Sequence, residues 1–408
     1  MTQPAPTSNE PWTTRRLLAW MGEAFGKAGL ESPRLQAEML LAHVIGCQRL
    51  RLFMEAEREA SAEERDRLRG LVARALRHEP IDYLVGERSF FGLLMKVDAR
   101  VLVPRPSTET MVEFVLQAGR RAGEYAEDAE GAEGARREEL VQESEATPAR
   151  GAGSGEVVFD LHDREGMSSL GAFKPSGEEL EEEDEAALER APVRRTPAAA
   201  PPTQAASLGH QGPNRLGEPV YQTPVNRRAR AGGPAWRIAD VCTGSGCIAV
   251  AIAKHLGRAR VVATDVSGDA LAVARENAAR HGVGGRIEFV RGDLLAALRG
   301  KGPFDVIVSN PPYIPDDEWA DVPANVKDHE PTIALRGGVD GLDFVRPLLA
   351  DGAAFLAPGG MLLVEVAASR AEEAAGLARA NAMLEGVEVL RDCDGLPRVV
   401  VARRVGGK

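Results

Sequence analysis

The tetrapeptide Asn310-Pro311-Pro312-Tyr313 carries the sharpest chemical signal in the chain. A proline has no N–H to donate and drives the residue before it into an extended conformation, so two in succession make a stiff loop that presents acceptors. Those acceptors are the Asn310 side-chain oxygen and the loop carbonyls, and a fixed pair of them suits an NH2 group. An amide or aniline-type nitrogen is a poor nucleophile because its lone pair is delocalised. Hydrogen bonds that hold both of its N–H groups favour the geometry in which that lone pair faces an incoming methyl, with Tyr313 packed against the flat group. A second constellation lies upstream. In Asp240-Val241-Cys242-Thr243-Gly244-Ser245-Gly246 two glycines stand where a backbone must turn tightly and approach a ligand, just before a helix whose first N–H groups are unpaired. Asp265 follows Gly246 by 19 residues, where a carboxylate can accept both hydroxyls of a ribose, and Asp293 is placed to meet an adenine amino group. Either Asp alone reads equally well as a helix cap, and the glycine turn lacks the third glycine of the dinucleotide fingerprint. The ordered trio describes a nucleoside site.

These residues need a scaffold that brings loop ends together. From Trp236 onward the pattern alternates, with strands predicted over 237–241, 260–264, 286–290, 304–309, 361–366, 387–391 and 398–402 and helices over 247–256 and 267–281. That is an α/β fold, a Rossmann-like, mainly parallel seven-stranded sheet covered on both faces, whose ligands bind at the carboxyl ends of the strands. Residues 12–80 read instead as a small helical bundle. Leu68, Leu71, Val72, Ala75 and Leu76 form one helical stripe behind a Ser61/Glu64 capping box. A second helix is expected to start with Ser32 as N-cap and Pro33 in its first turn, to turn Leu35, Met39 and Ala42 towards the core, and to end at Gly46. Over 81–123, runs around Gly86 and Gly92 predict a β-hairpin, followed through Pro104-Arg105-Pro106 by a helix carrying Met111, Val112, Val115 and Leu116.

Between these parts the composition changes. Residues 124–190 hold 21 Asp/Glu against 6 Lys/Arg, centred on the run from Glu178 to Glu185, whereas 191–234 hold 6 Arg against 1 Glu and are rich in Pro, Ala and Gln. Too little apolar surface is present to offset an ordering cost of roughly 1–2 kcal/mol per residue, so 124–234 is expected to be a disordered insertion. Within it, Val157-Val158-Phe159-Asp160-Leu161-His162 reads equally as a short motif for an unknown partner or as a transient element without one. The insertion accounts for nearly all of the net charge of −11 on the 408-residue chain. What remains is near neutral, with no basic domain for nucleic acid. Four scattered cysteines predict a reduced, cytoplasmic setting, and no apolar run approaches the roughly 20 residues of a membrane span. Cys242 and Cys247 have no third or fourth ligand nearby, so no metal is expected.

Asp240-x-Cys242-x-Gly244-x-Gly246, Asp265 and Asn310-Pro311-Pro312-Tyr313, in this order, resemble the class I S-adenosylmethionine-dependent methyltransferases of the NPPY type. Within that class the chain resembles the protein-(glutamine-N5) methyltransferases that modify peptide chain release factors. The likeness extends to Glu31-Ser32-Pro33-Arg34, Leu40-Leu41-Ala42-His43, Glu79-Pro80-Ile81, Arg105-Pro106-Ser107-Thr108-Glu109, His329-Glu330-Pro331 and Asp340-Gly341-Leu342. It covers 12–123 and 235–405 and omits the insertion. The resemblance implies an N-terminal substrate-recognition domain over 12–80 and a methyltransferase domain over 235–405. It implies cofactor contacts from Cys242, Thr243, Gly244, Ser245, Gly246, Asp265, Asp293, Leu294 and Asn310. Arg105, Glu109, Asn310, Pro311, Pro312 and Tyr313 would meet the substrate, the last four being the catalytic loop. Cys242 stands where the family places its first glycine, as in the sister enzymes that methylate a glutamine of ribosomal protein uL3. An adenine-N6 nucleic-acid methyltransferase would use the same acceptor loop but needs a basic recognition surface, and a domain that only binds nucleoside would not need the loop intact.

Overall fold

The computed structural model describes residues 11–121 and 235–406, all within one compact unit. The expected insertion, 124–234, lies outside the described residues.

Five helices come first: α1 (Thr14–Lys27), α2 (Pro33–Ile45), α3 (Arg49–Met54), α4 (Ala62–Ala75) and α5 (Ile81–Val85). α4 starts as its sequence dictates. The Ser61 hydroxyl accepts from the Glu64 N–H at 3.1 Å, and the Glu64 carboxylate accepts from the Ser61 N–H at 2.8 Å. Leu68, Val72 and Ala75 of its stripe are buried, but Leu76 falls at the C-cap and is 38% exposed. Two expectations for α2 fail. Ser32 sits in the left-handed region at φ 46° and makes no side-chain cap, although its carbonyl accepts the first helical bond from Gln36. Of the face expected to turn inward, Ala42 is buried and Met39 packs half-buried against the core, but Leu35 is 39% exposed; Ala37, Leu40, Leu41 and Val44 complete the buried side. α2 packs against all four other helices, and Glu38 is buried among them in an ion pair with Arg34 and Arg49, so polarity along the helix does not follow burial.

The hairpin pairs β1 (Glu87–Phe90) with β2 (Leu93–Lys96) in antiparallel register. Its two turn residues, Phe91 and Gly92, both have positive φ, which matches the twist of a two-residue hairpin. α6 (Pro106–Arg121) follows and buries Met111, Val112, Val115 and Leu116 as expected.

The sheet contains β3 (Arg237–Val241), β4 (Arg260–Asp265), β5 (Ile287–Arg291), β6 (Phe304–Ser309), β7 (Leu356–Glu365), β8 (Leu384–Arg391) and β9 (Pro397–Arg404). Their order is β5-β4-β3-β6-β7-β9-β8, parallel except for β9, which runs against both neighbours. The chain builds outward from β3 through β4 to β5 and then returns to β6 on the other side of β3. That reversal opens a crevice at the carboxyl ends of β3 and β6. α7 (Cys247–His255) and α8 (Gly268–Arg280) cover one face, where α7 also packs on α6. The opposite face receives Leu348 and Leu349 of α10 (Val345–Asp351) and Ala374 and Ala378 of α11 (Ala371–Ala380), against Ile307, Leu362 and Val400. A short α9 (Ala324–Lys327) lies beyond the acceptor loop. Burying a Leu-sized side chain here is worth roughly 1.5–3 kcal/mol, and the crevice is set between two such packed layers.

Candidate active site

The turn from β3 into α7 is fixed from below and from the side. Gly246 has φ 79°, and a Cβ there would fall 2.9 Å from Ala274 Cβ, so no other residue fits. Beneath it, buried Asp240 accepts from the Thr243 hydroxyl at 2.6 Å and from the Ala249 N–H at 3.0 Å. Burial pushes the Asp240 carboxyl up to about 7, and the Asp265 charge adds to the rise. From the side, Asn277 of α8 donates to the Ser245 carbonyl (2.9 Å) and the Lys96 carbonyl (3.0 Å), and accepts from the Lys96 N–H (2.6 Å). One amide thus joins the glycine loop to the hairpin.

Asp265 closes the loop from above. One of its oxygens accepts from the Gly244 N–H and the other from the Ser267 N–H, both at 2.9 Å. Burial raises its pKa. Each oxygen keeps lone pairs for ligand hydroxyls, while the Gly244 N–H, spent on a carboxylate, is not offered to a phosphate. Asp265, Asp293, Leu294 and the loop Cys242–Ser245 line one cavity of about 510 Å³, within the range of small-molecule sites. Leu102, Val266 and Ile248 supply apolar walls. This donor set fits a nucleoside bearing no phosphate on the glycine turn, as S-adenosylmethionine is.

Asn310, Pro312, Arg105 and Thr108 line the same cavity from the β6 side. The Asn310 amide nitrogen donates to the Thr108 hydroxyl at 3.0 Å. Arg105 pairs with buried Glu330 at 2.6 Å, and the other Glu330 oxygen accepts from the Val103 N–H at 3.0 Å. Burial raises the Glu330 pKa against the pull of Arg105. Below the loop, a Cβ on Gly341 would come within 2.5 Å of the Tyr313 carbonyl, which explains a glycine in Asp340-Gly341-Leu342.

Three expected residues do not reach the cavity wall. Pro311 is buried behind the loop. The Tyr313 hydroxyl donates to Glu365 at 3.2 Å, and Tyr313 does not line the cavity. The Glu109 carboxylate accepts from the Phe91 N–H at 2.8 Å and secures the hairpin turn. Tyr313 and Glu109 therefore hold structural partners, one behind the acceptor loop and the other at the hairpin turn. Conversely, Glu365 was not anticipated. A lone carboxylate in the otherwise apolar run Met361-Leu362-Leu363-Val364-Glu365-Val366 was the available signal. Gly246 and Ser245 are placed as anticipated within the loop, Gly246 acting through its fit against α8.

A mainly parallel seven-stranded sheet with its last strand reversed and a cavity at the carboxyl ends of its strands is the architecture of a class I methyltransferase, and residues 238–329 match the methyltransferase domain family. Residues 16–86 match the PrmC N-terminal domain. The release factor glutamine methyltransferase of Rhodopirellula baltica is 30% identical over 397 residues, covering 97% of this chain and 98% of that relative. Its counterpart from Chlorobaculum tepidum is 31% identical over 390 residues, covering 95% and 96%. Among solved structures, TrmN from Thermus thermophilus superposes with a TM-score of 0.31 at 26% identity, over 42% of this chain and 45% of that one. The chain belongs to the release factor glutamine methyltransferase family. It is an S-adenosylmethionine-dependent enzyme. Among the described residues no helix is long and apolar enough to cross a membrane, and no group of three or more His, Cys, Asp and Glu is arranged to hold a metal.

Proposed function

We propose that the enzyme transfers a methyl group to the side-chain amide nitrogen, N5, of the glutamine in the Gly-Gly-Gln motif of peptide chain release factors, in the cytoplasm. The observation that carries this reading is the polarity of the Asn310 amide. Its nitrogen is bonded to Thr108, which leaves Oδ1 as an acceptor at the wall of a cavity whose far end holds Asp265 and Asp293. When bound, S-adenosylmethionine supplies an electrophilic methyl on a sulfonium. Asp265 and Asp293 would hold its ribose and adenine, and Leu294 and the glycine turn of Cys242–Gly246 would complete its binding site. Asn310 Oδ1 and a carbonyl of the loop hold the two N–H groups of the glutamine, so that the nitrogen lone pair faces the methyl. Alignment of this kind removes about 7–11 kcal/mol of barrier without a dedicated base, because the methylated amide is strongly acidic and gives its proton to solvent. Arg105 stands at the rim between this cavity and a cleft of about 480 Å³ beside α2, the side from which a protein loop supported by the helical domain 12–80 would enter.

The test is mass spectrometry of a release factor, ribosomal protein uL3 and an adenine-containing oligonucleotide after incubation with labelled cofactor. A gain of one methyl on the release-factor glutamine is expected. A gain on uL3 or on the oligonucleotide alone overturns the substrate assignment.

A further inference from the structure

We propose that Glu330 is a positioning residue that bolts together the two sides of the cavity mouth, and that it thereby fixes where Ile333 meets the protein substrate. The inference rests on the proposed glutamine reaction. Only a side chain enters the cavity, so the substrate chain on either side of that glutamine has to lie across the mouth.

One side of the mouth is the linker before α6, where Val101, Leu102 and Arg105 line the cavity. The other is the turn beyond α9, where Pro331, Ile333 and Ala334 line it. Glu330 joins these two segments across 227 residues of sequence. One of its oxygens accepts from the Arg105 guanidinium at 2.6 Å and the other from the Val103 N–H at 3.0 Å. Glu330 is only 4% exposed. A buried ion pair adds little stability once its desolvation is counted, and fixing a geometry is its best-attested use. Each side is also tied to the helical domain. The Tyr83 hydroxyl, from α5, donates to the Val101 carbonyl at 2.5 Å, and the Nε2–H of His329 donates to the Arg77 carbonyl, just past α4, at 3.1 Å.

The turn that carries Ile333 is held at both ends. Glu330 holds its start, and the Ala334 N–H donates to the Pro331 carbonyl at 2.8 Å. At its far end Ile314, which follows the acceptor tetrapeptide, donates to the Leu335 carbonyl at 2.9 Å and accepts from the Gly337 N–H at 2.8 Å. Leu335 is buried, whereas Ile333 lines the cavity and is 61% exposed. A β-branched side chain has few rotamers to lose when it is covered, so it suits a preformed contact. No charge interrupts Pro331-Thr332-Ile333-Ala334-Leu335, and this side of the mouth fits an uncharged stretch of backbone such as the glycines that precede the glutamine.

With the full-length enzyme and purified release factor, kcat, KM and the affinity for S-adenosylhomocysteine are measured for Glu330→Gln, Ile333→Ala and the double variant. Glu330→Gln keeps the volume but has one acceptor oxygen for two donors. Each single variant is expected to raise KM for the release factor about five- to twentyfold, with kcat and cofactor affinity within about threefold of wild type. In the double variant the two losses are not expected to multiply. Once the bolt is released, removing the Ile333 side chain is expected to raise KM by less than about twofold more. Full multiplication overturns the proposal, because Glu330 would then not act through the place of Ile333. So does a wild-type KM in either single variant, or a parallel collapse of cofactor affinity, which would mean the site as a whole is lost. Tyr83→Phe frees the same linker without disturbing the buried carboxylate, and is expected to raise KM about two- to fivefold. If Glu330→Gln does not fold, an unchanged KM in Tyr83→Phe overturns the proposal. If wild type leaves the release factor unmodified, the substrate assignment fails instead, and the same variants are read on whichever substrate gains mass.

Discussion

The two walls of the cavity are held by different means. The cofactor wall is mostly local: from Asp240 to Asp265 a single β-α-β unit supplies the turn, the buried carboxylate beneath it and the carboxylate above it, with Asn277 tying it to the hairpin. The acceptor wall is assembled from distant segments, with Asn310 bonded to Thr108 across 202 residues and Tyr313 to Glu365 across 52. An assembled wall fails as a unit, because each member sets the orientation of the next.

The comparison breaks most severely at Asn310. Asn310→Ala removes an oriented acceptor from a desolvated site, and turnover is expected to fall on the order of 100- to 1000-fold. Methyl transfer from labelled cofactor measures it, and a variant that turns over like wild type would mean the acceptor loop is not where the amide sits. On the other wall, Asp265→Asn places a donor against the N–H of Gly244 or Ser267 and removes acceptors from the ribose. Affinity for S-adenosylhomocysteine, read by calorimetry, is expected to drop about ten- to hundredfold, while kcat at saturating cofactor stays within a few-fold. If Asp265→Asn instead lost kcat with affinity intact, the division of labour between the walls would be wrong.

The same contrast explains what was legible in the sequence. Gly244, Gly246, Asp265 and Asp293 each follow a strand, so reading the strands placed them in the crevice. Asn310 was found because Pro-Pro leaves few conformations. A motif tells which residues matter and not which way they face: the hydrogen-bond partners of Tyr313 and Glu109, Glu365 and the Phe91 N–H, lie on other elements that the motif does not name. At α2 the cause is different: a helix packed on four others buries the paired Glu38 and leaves Leu35 exposed, so its sequence does not say which face is inside.

Each wall also rests on one buried carboxylate, Asp240 on the cofactor side and Glu365 on the acceptor side, both raised by burial to about 7. Between the ordinary carboxylate range and pH 7 the folded protein holds protons that the unfolded chain has released. Stability therefore falls as pH rises through this window and is lowest above it. Glu64, Glu79 and Asp98, lowered by their arginine partners, act in the opposite sense but only at pH values below the ordinary carboxylate range. Glu365→Gln and Asp240→Asn are each expected to flatten the decline, by on the order of 2 kcal/mol between pH 5 and pH 8. Thermal melts at the two pH values measure this. A Tm change that is the same at both pH values would show that the carboxylate is not the source of the decline.

The smallest effect is expected at Cys242, where the cofactor wall carries a side chain on a left-handed backbone. Its backbone has φ 61°, a conformation that costs a side-chain-bearing residue roughly 1–2 kcal/mol. Cys242→Gly relieves that strain. It also removes a half-buried side chain packed on the sheet core and gives the unfolded chain more freedom, terms of about 0.5–1 kcal/mol each in the opposite direction. The sum is near zero, and the midpoint of denaturation is expected to move by less than about 1 kcal/mol either way. Burial and the Asp265 charge hold the Cys242 thiol well above its usual pKa, so it is neutral and of low reactivity at pH 7. Cofactor affinity is the informative readout, because Cys242 lines the cavity. Affinity within threefold of wild type would mean that its thiol serves only as filling between the turn and the core. A loss of tenfold or more would make the side chain a cofactor contact, and the cofactor wall would then depend on that side chain as well as on the backbone of the turn.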